Sequence, residues 1–122
     1  MSAAPDVVLL GTEWQPRALL RAQLIEDGFE VIATDSWPML RRALRPGSKP
    51  KLVIVDLRGL PDPEQVLEDL KVLMTPERVL VLTAIGTVPI GKIRKLGFHV
   101  QKRPVSISGV VATAARAIRA QN

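Results

Sequence analysis

The chain is 122 residues long, 47% hydrophobic and free of cysteine, with 17 basic residues against 12 acidic ones for a net charge of +5. That length supports one domain over 1–122 with a core from about 6 to 120, and the lack of Cys excludes a disulfide framework, a thiolate metal cluster and thiol chemistry. No stretch reaches the roughly 20 apolar residues of a membrane span, and the opening MSAAPDVVLL lacks the basic segment of a signal peptide, so a cytoplasmic protein is expected.

In chain order, Val7 to Leu10 predicts a short buried strand. Pro16 to Asp27 predicts a helix, with Pro16 in its first turn, Leu20 and Leu24 one turn apart, and Gly28 ending it. Phe29 to Ala33 is the second expected strand. Ser36 suits the cap of a helix over Pro38 to Leu44, which Pro46-Gly47 stops. Leu52 to Val55 predicts the third strand, Glu64 to Met74 the third helix, and Val79 to Leu82 the fourth strand. A short helix from Ile90 to Leu96 and a strand over Val100 to Lys102 follow. The last helix, capped by Ser106 or Ser108, runs to about Ala120. Alternating strands and helices, with apolar runs that do not alternate, predict an α/β fold with a doubly wound five-stranded parallel sheet.

In such a sheet, sites gather at the carboxyl ends of the strands. Here those ends offer Gly11-Thr12-Glu13, Asp56, Thr83 and Lys102-Arg103-Pro104. A carboxylate, a hydroxyl and cations in one place are the parts of a phosphoryl-transfer or anion site. The sequence contains neither GxGxxG after the first strand nor GxxxxGK[ST], so nucleotide binding has no motif. His99 has no obvious Ser or Cys partner and reads as a solvated or hydrogen-bonded residue of the fifth strand. Asp56 admits a plainer reading as a strand-end or capping acid, and Thr83 as a hydroxyl that satisfies backbone groups.

The chain resembles a CheY-like receiver domain of bacterial response regulators from Asp6 to Ala120. Arg17, Leu20, Leu24 and Gly28 of RALLRAQLIEDGFEV match the family's first-helix pattern, with Arg17 expected on the exposed side of its helix near the site mouth. PKLVIVDLRGLP is similar to the phosphoacceptor strand, with Asp56 at the phosphorylated position and Pro61 near the loop proline. Thr83 falls at the switch hydroxyl, and Arg103-Pro104 where the family has Lys-Pro. The resemblance implies a flavodoxin- or CheY-like (βα)5 fold and a part in two-component or phosphorelay signalling.

Several positions depart from that pattern. The acidic pair that holds Mg²⁺ in receivers maps onto Gly11 and Thr12, leaving Glu13 as the nearby acid, a first-turn helix acid favoured by the dipole or a vestigial or weak metal ligand. A one-residue slide would put Glu13 on the second acidic position, but would break the match through Arg17, Leu20 and Leu24. The pairing lysine becomes Arg103, or Lys102 if the strand bulges. The aromatic switch position becomes Val100, and the loop after Asp56 is one residue longer before its proline. Mg²⁺ is usually held by one or two carboxylates, so its affinity should fall, and Mg²⁺ is a cofactor only if the Asp56 site is competent. Arg58, where the family supplies a backbone carbonyl to the metal, or Arg103, is expected to form a bidentate pair with Asp56 and take the metal's place.

The expected function is therefore a pseudo-receiver, not an enzyme, acting by protein–protein contact with impaired or lost phosphorylation. The resemblance implies docking through helix four, strand five and helix five, which carry Lys92, Arg94, Lys95, Lys102, Arg116 and Arg119. That basic face suits an acidic partner, with a histidine kinase or an acidic output protein as candidates, and receivers often form homodimers. A phosphoacceptor using Asp56, with Thr83 as the switch, is the alternative. A nucleic-acid-associated protein recruited by charge is the second alternative, although 3% aromatic content leaves few stacking platforms. Trp14 and Trp37 are expected at helix entries, and an exposed Trp14 would mark a partner surface.

Overall fold

The computed structural model describes residues 4–47, 49–103 and 105–121. Its strands are β1 (Val7–Leu10), β2 (Val31–Thr34), β3 (Leu52–Asp56), β4 (Val79–Leu82) and β5 (His99–Gln101). Its α-helices are α1 (Trp14–Glu26), α2 (Trp37–Ala43), α3 (Pro63–Leu73), α4 (Ile90–Lys95) and α5 (Ile107–Arg119). All strand pairs are parallel, in the order β2-β1-β3-β4-β5. The expected doubly wound α/β sheet is the one observed.

The strands read as unbroken apolar runs because helices cover both faces of the sheet. Side chains alternate across a strand, so Val8, Leu10, Val53, Val55, Val79 and Val81 meet Leu40, Leu67, Leu70 and Ile93 from α2, α3 and α4. Their neighbours Val7, Leu9, Leu52, Ile54, Leu80 and Leu82 meet Leu20 and Leu24 of α1 and Val110, Val111, Ala114 and Ile118 of α5. At about 25 cal/mol per Å² of apolar surface removed from water, these two layers supply the main drive to fold.

Element limits shift by one or two residues from the expected ones. Helix α1 begins earlier, at Trp14, with Glu13 at its N-cap and no side-chain cap hydrogen bond. Phe29 is withdrawn from β2 because its N–H donates to the Leu24 carbonyl (3.1 Å), closing α1 around Gly28 at φ +95°. Strand β5 starts at His99, which pairs with Leu80, so Lys102 lies beyond the sheet. Ser106, not Ser108, caps α5, its Oγ accepting from the Gly109 N–H at 3.0 Å. A 3₁₀ turn at Pro76–Arg78 was not expected. Its Pro76 sets a first-turn φ that the alternating pattern does not register.

The sheet changes winding direction between β1 and β3, and there Leu10 pairs with Val55 and Leu82 with Asp56. Gly11, Asp56 and Thr83 leave the sheet together at this switch point, where open α/β folds place their sites.

Candidate functional site

Asp56 is the last residue of β3 and the only buried charged residue among the described ones, with 7% of its surface exposed. A buried carboxylate needs hydrogen bonds or counter-charge, because burial removes its water. Asp56 has both. The backbone N–H of Arg58 donates to Oδ1 at 3.0 Å. A guanidinium nitrogen of Arg103, Nη2, donates to Oδ2. Nη2 of Arg58 approaches the same oxygen at 3.8 Å. The expected bidentate fork is replaced by two arginines converging on one oxygen, each from a different loop, Arg58 after β3 and Arg103 after β5.

Arg103 reaches Asp56, and Lys102 does not. Strand β5 keeps regular register through Gln101, so no bulge turns Lys102 inward, and Lys102 is exposed. The backbone N–H of Arg103 donates to the Thr83 hydroxyl at 3.2 Å, and the Thr83 N–H donates to the Gln101 carbonyl at 3.1 Å. Thr83 thereby anchors the chain that delivers Arg103 to Asp56. Pro104 lies outside the described residues. Val100, half-buried, packs against the core at the expected aromatic position.

The two positions expected to carry acids hold a different arrangement. The carbonyl of Gly11 accepts from Arg17 Nη1 at 2.7 Å. A Cβ added at Gly11 would stand 3.4 Å from Arg17 Cβ, an ordinary contact, so the close approach of the two residues does not itself require glycine. Thr12 Oγ1 donates to the carbonyl of Arg58 at 2.8 Å. A Cβ at Gly59 would fall 2.6 Å from the same Thr12 oxygen, and Gly59 stands at φ +73°, so glycine is required there.

Glu13 is displaced from its expected roles. It occupies the N-cap rather than the first turn of α1, and its carboxylate lies 3.2 Å from Arg58 Nε, not beside Asp56. Arg17, expected on the exposed side of its helix, is half-buried and turned to the site. The inward turn of Arg17 and the Thr12 contact went unpredicted, because both donate to backbone carbonyls, which every residue carries.

On the other side, Arg94, Lys95, Arg116 and Arg119 are exposed on α4 and α5. Lys92 is exposed too, but its ammonium donates to Glu64 Oε1 at 2.9 Å. That hydrogen bond, with the attraction of the Glu64 charge, raises the lysine pKa above its ordinary value. His99 is exposed, Trp37 half-buried, and Trp14 exposed over 70% of its surface at the start of α1. No helix among the described residues is long and apolar enough to cross a membrane.

Comparison of the structure with solved ones decides the fold. The signal receiver domain of a candidate LuxO repressor protein from Vibrio parahaemolyticus matches with a TM-score of 0.78 at 23% identity, over 96% of this chain and 92% of that one. This chain has the fold of a response-regulator receiver domain. The receiver domain of NtrX from Brucella abortus is similar at a TM-score of 0.77 and 22% identity, covering 93% and 98% of the two chains. A response regulator receiver protein from Sinorhizobium medicae gives 0.75 and 18%, covering 98% of each. No family model and no curated protein matches the sequence. Asp56 ends the central strand, and Gly11-Thr12 continues the chain from Leu10, the β1 partner of Val55.

Proposed function

We propose that the chain is a receiver-like signalling module of a two-component or phosphorelay system, in a degenerate form that works by protein–protein contact and is not an enzyme. One observation carries this reading: the groups that would ligate a metal beside Asp56 are already occupied by the protein's own side chains. Arg17 takes the Gly11 carbonyl, Thr12 takes the Arg58 carbonyl, and Arg58 and Arg103 sit on the carboxylate.

Mg²⁺ demands near-octahedral oxygen ligation and in phosphoryl-transfer sites neutralises the charge of the transferred oxygens. The residues present do not fit it. Asp56 is the one carboxylate facing this spot, two guanidiniums stand against it, and no cluster of three metal-ligating side chains occurs among the described residues. A fixed cation pair replaces the ion electrostatically but leaves no open coordination position for a phosphoryl group.

The exposed cations of α4 and α5, with Lys102, support contact with an acidic protein surface. A histidine kinase or an acidic output protein fits that description. A homodimer through the same face would set like charges together, so an acidic partner fits better.

An amide NMR titration with Mg²⁺ and then beryllofluoride, repeated on Asp56→Asn, tests the reading. The expected result is no saturable shift near Asp56 or Thr83. Shifts that saturate at millimolar Mg²⁺ and vanish in the variant would replace it with the phosphoacceptor reading, which the placement of Asp56 beside the Thr83 strand end favours.

A further inference from the structure

A cavity of about 270 Å³ opens between the first turns of α1 and α5, above β1 and β4. Its floor is apolar: Leu9, Leu20, Leu82 and Val110 belong to the buried layer beneath α1 and α5. Its rim carries Arg17, Arg58 and Arg103 against the single carboxylate of Asp56. With Asp56 held by Arg103 and Arg58, and Glu13 on the Nε of Arg58, the three guanidiniums leave the rim positive at Arg17.

Two of these cations have unspent donors. Arg17 makes one hydrogen bond, to the Gly11 carbonyl, and no carboxylate lies within 4.0 Å of it among the described residues. Arg103 uses Nη2 on Asp56, while its Nε is buried without a partner. Buried donors are nearly always paired. An anion seated at the rim would meet Arg17 and complete Arg103. The floor would strip water from whatever the anion is attached to.

We propose that this cavity binds a small organic anion, a carboxylate or phosphate on a compact apolar body, with Arg17 as its main charge partner. The volume lies just below the roughly 300–1,000 Å³ usual for drug-sized ligands, so the body is small. Guanidinium forks recognise both head groups through paired N–H donors. Arg17 and the α5 floor define this site, so it stands whether or not Asp56 accepts a phosphoryl group.

Titration of the full chain by amide NMR tests it, with phenyl phosphate and phenylacetate as probes. Inorganic phosphate, acetate and benzyl alcohol supply the head or the body alone. One of the two amphiphiles should shift Gly11, Arg17, Arg103 and Val110 saturably, at least tenfold more tightly than its isolated head group or benzyl alcohol. The stronger of the two distinguishes phosphate from carboxylate. Arg17→Gln should weaken binding about tenfold. Ile107→Trp, at the cavity wall, should block it, and Arg17→Lys, which keeps the charge and loses the fork, gives a second reading if the tryptophan variant misfolds. Equal affinity for inorganic phosphate, shifts confined to the α4 face, no saturable shift at millimolar probe, or indifference to Arg17→Gln would each overturn the proposal.

Discussion

At the carboxyl ends of β1 and β3, three arginines turn inward: Arg58 and Arg103 onto Asp56, and Arg17 onto the Gly11 carbonyl. Along α4 and α5, Arg94, Lys95 and Arg119 face solvent, and no carboxylate lies within ion-pairing distance among the described residues. The contrast follows from depth. At the strand ends, a buried carboxylate and exposed carbonyls at the edge of a dry core need donors, and the nearest cations supply them. On a helix face water already satisfies each ammonium and guanidinium, and those charges remain available to a partner. One region uses its charge to hold the fold together, while the other displays it.

Removing the centre of the inward network should have the largest effect. Asp56→Ala leaves Arg103 and Arg58 facing a partly desolvated gap, and urea denaturation should show a loss of about 2–3 kcal/mol. The sign is the informative part. A site crowded with acids would gain stability from the same change, through relief of repulsion, so a stabilised variant would refute the cation-filled description.

The Thr12–Gly59 contact comes next. Gly59→Ala places a Cβ against the Thr12 hydroxyl and forces an L residue to φ +73°, at a cost of about 1–3 kcal/mol. Thr12→Ala alone should cost about 1 kcal/mol through the lost bond to the Arg58 carbonyl. Combined with Gly59→Ala it should cost less than the sum, because the steric conflict is gone. Strict additivity in thermal or urea unfolding would mean that the two residues are not in contact.

The smallest effect on folding belongs to the displayed charges. Arg94→Gln with Lys95→Gln should stay within about 0.5 kcal/mol of the parent, yet weaken association with an acidic protein and flatten its dependence on salt. Surface binding measured from low to physiological ionic strength would reveal it. A large loss of stability would instead place these side chains in an intramolecular network.

Much of this fold was legible because apolar runs with no alternation can be buried only between two layers of helices. β1 and β4 fall where those runs predict, and each helix is within two residues of its expected limits. The position of Asp56 was legible for the same reason, as a charge ending an apolar strand. What Arg17 does was not. Its helical spacing fits the solvent side, and the group it folds back to is a backbone carbonyl, that of Gly11, which no side-chain pattern marks. Glu13 was misplaced because its partner, Arg58, comes from the loop after β3, far from it in sequence.

Residue order alone was enough for the succession of strands and helices, which follows from the local periodicity that each segment carries by itself. The gathering of Gly11, Asp56, Thr83 and Arg103 at one edge then follows from the parallel sheet that this succession implies. Folding in three dimensions settles which of the expected cations, Arg58 or Arg103, reaches which oxygen. Arg103 and Asp56 are 47 residues apart, and Thr12 and Arg58 are 46 apart. Whether such pairs form depends on strand register and loop path to within an ångström or two, and hydrogen bonds weaken steeply outside their narrow range of distance and angle.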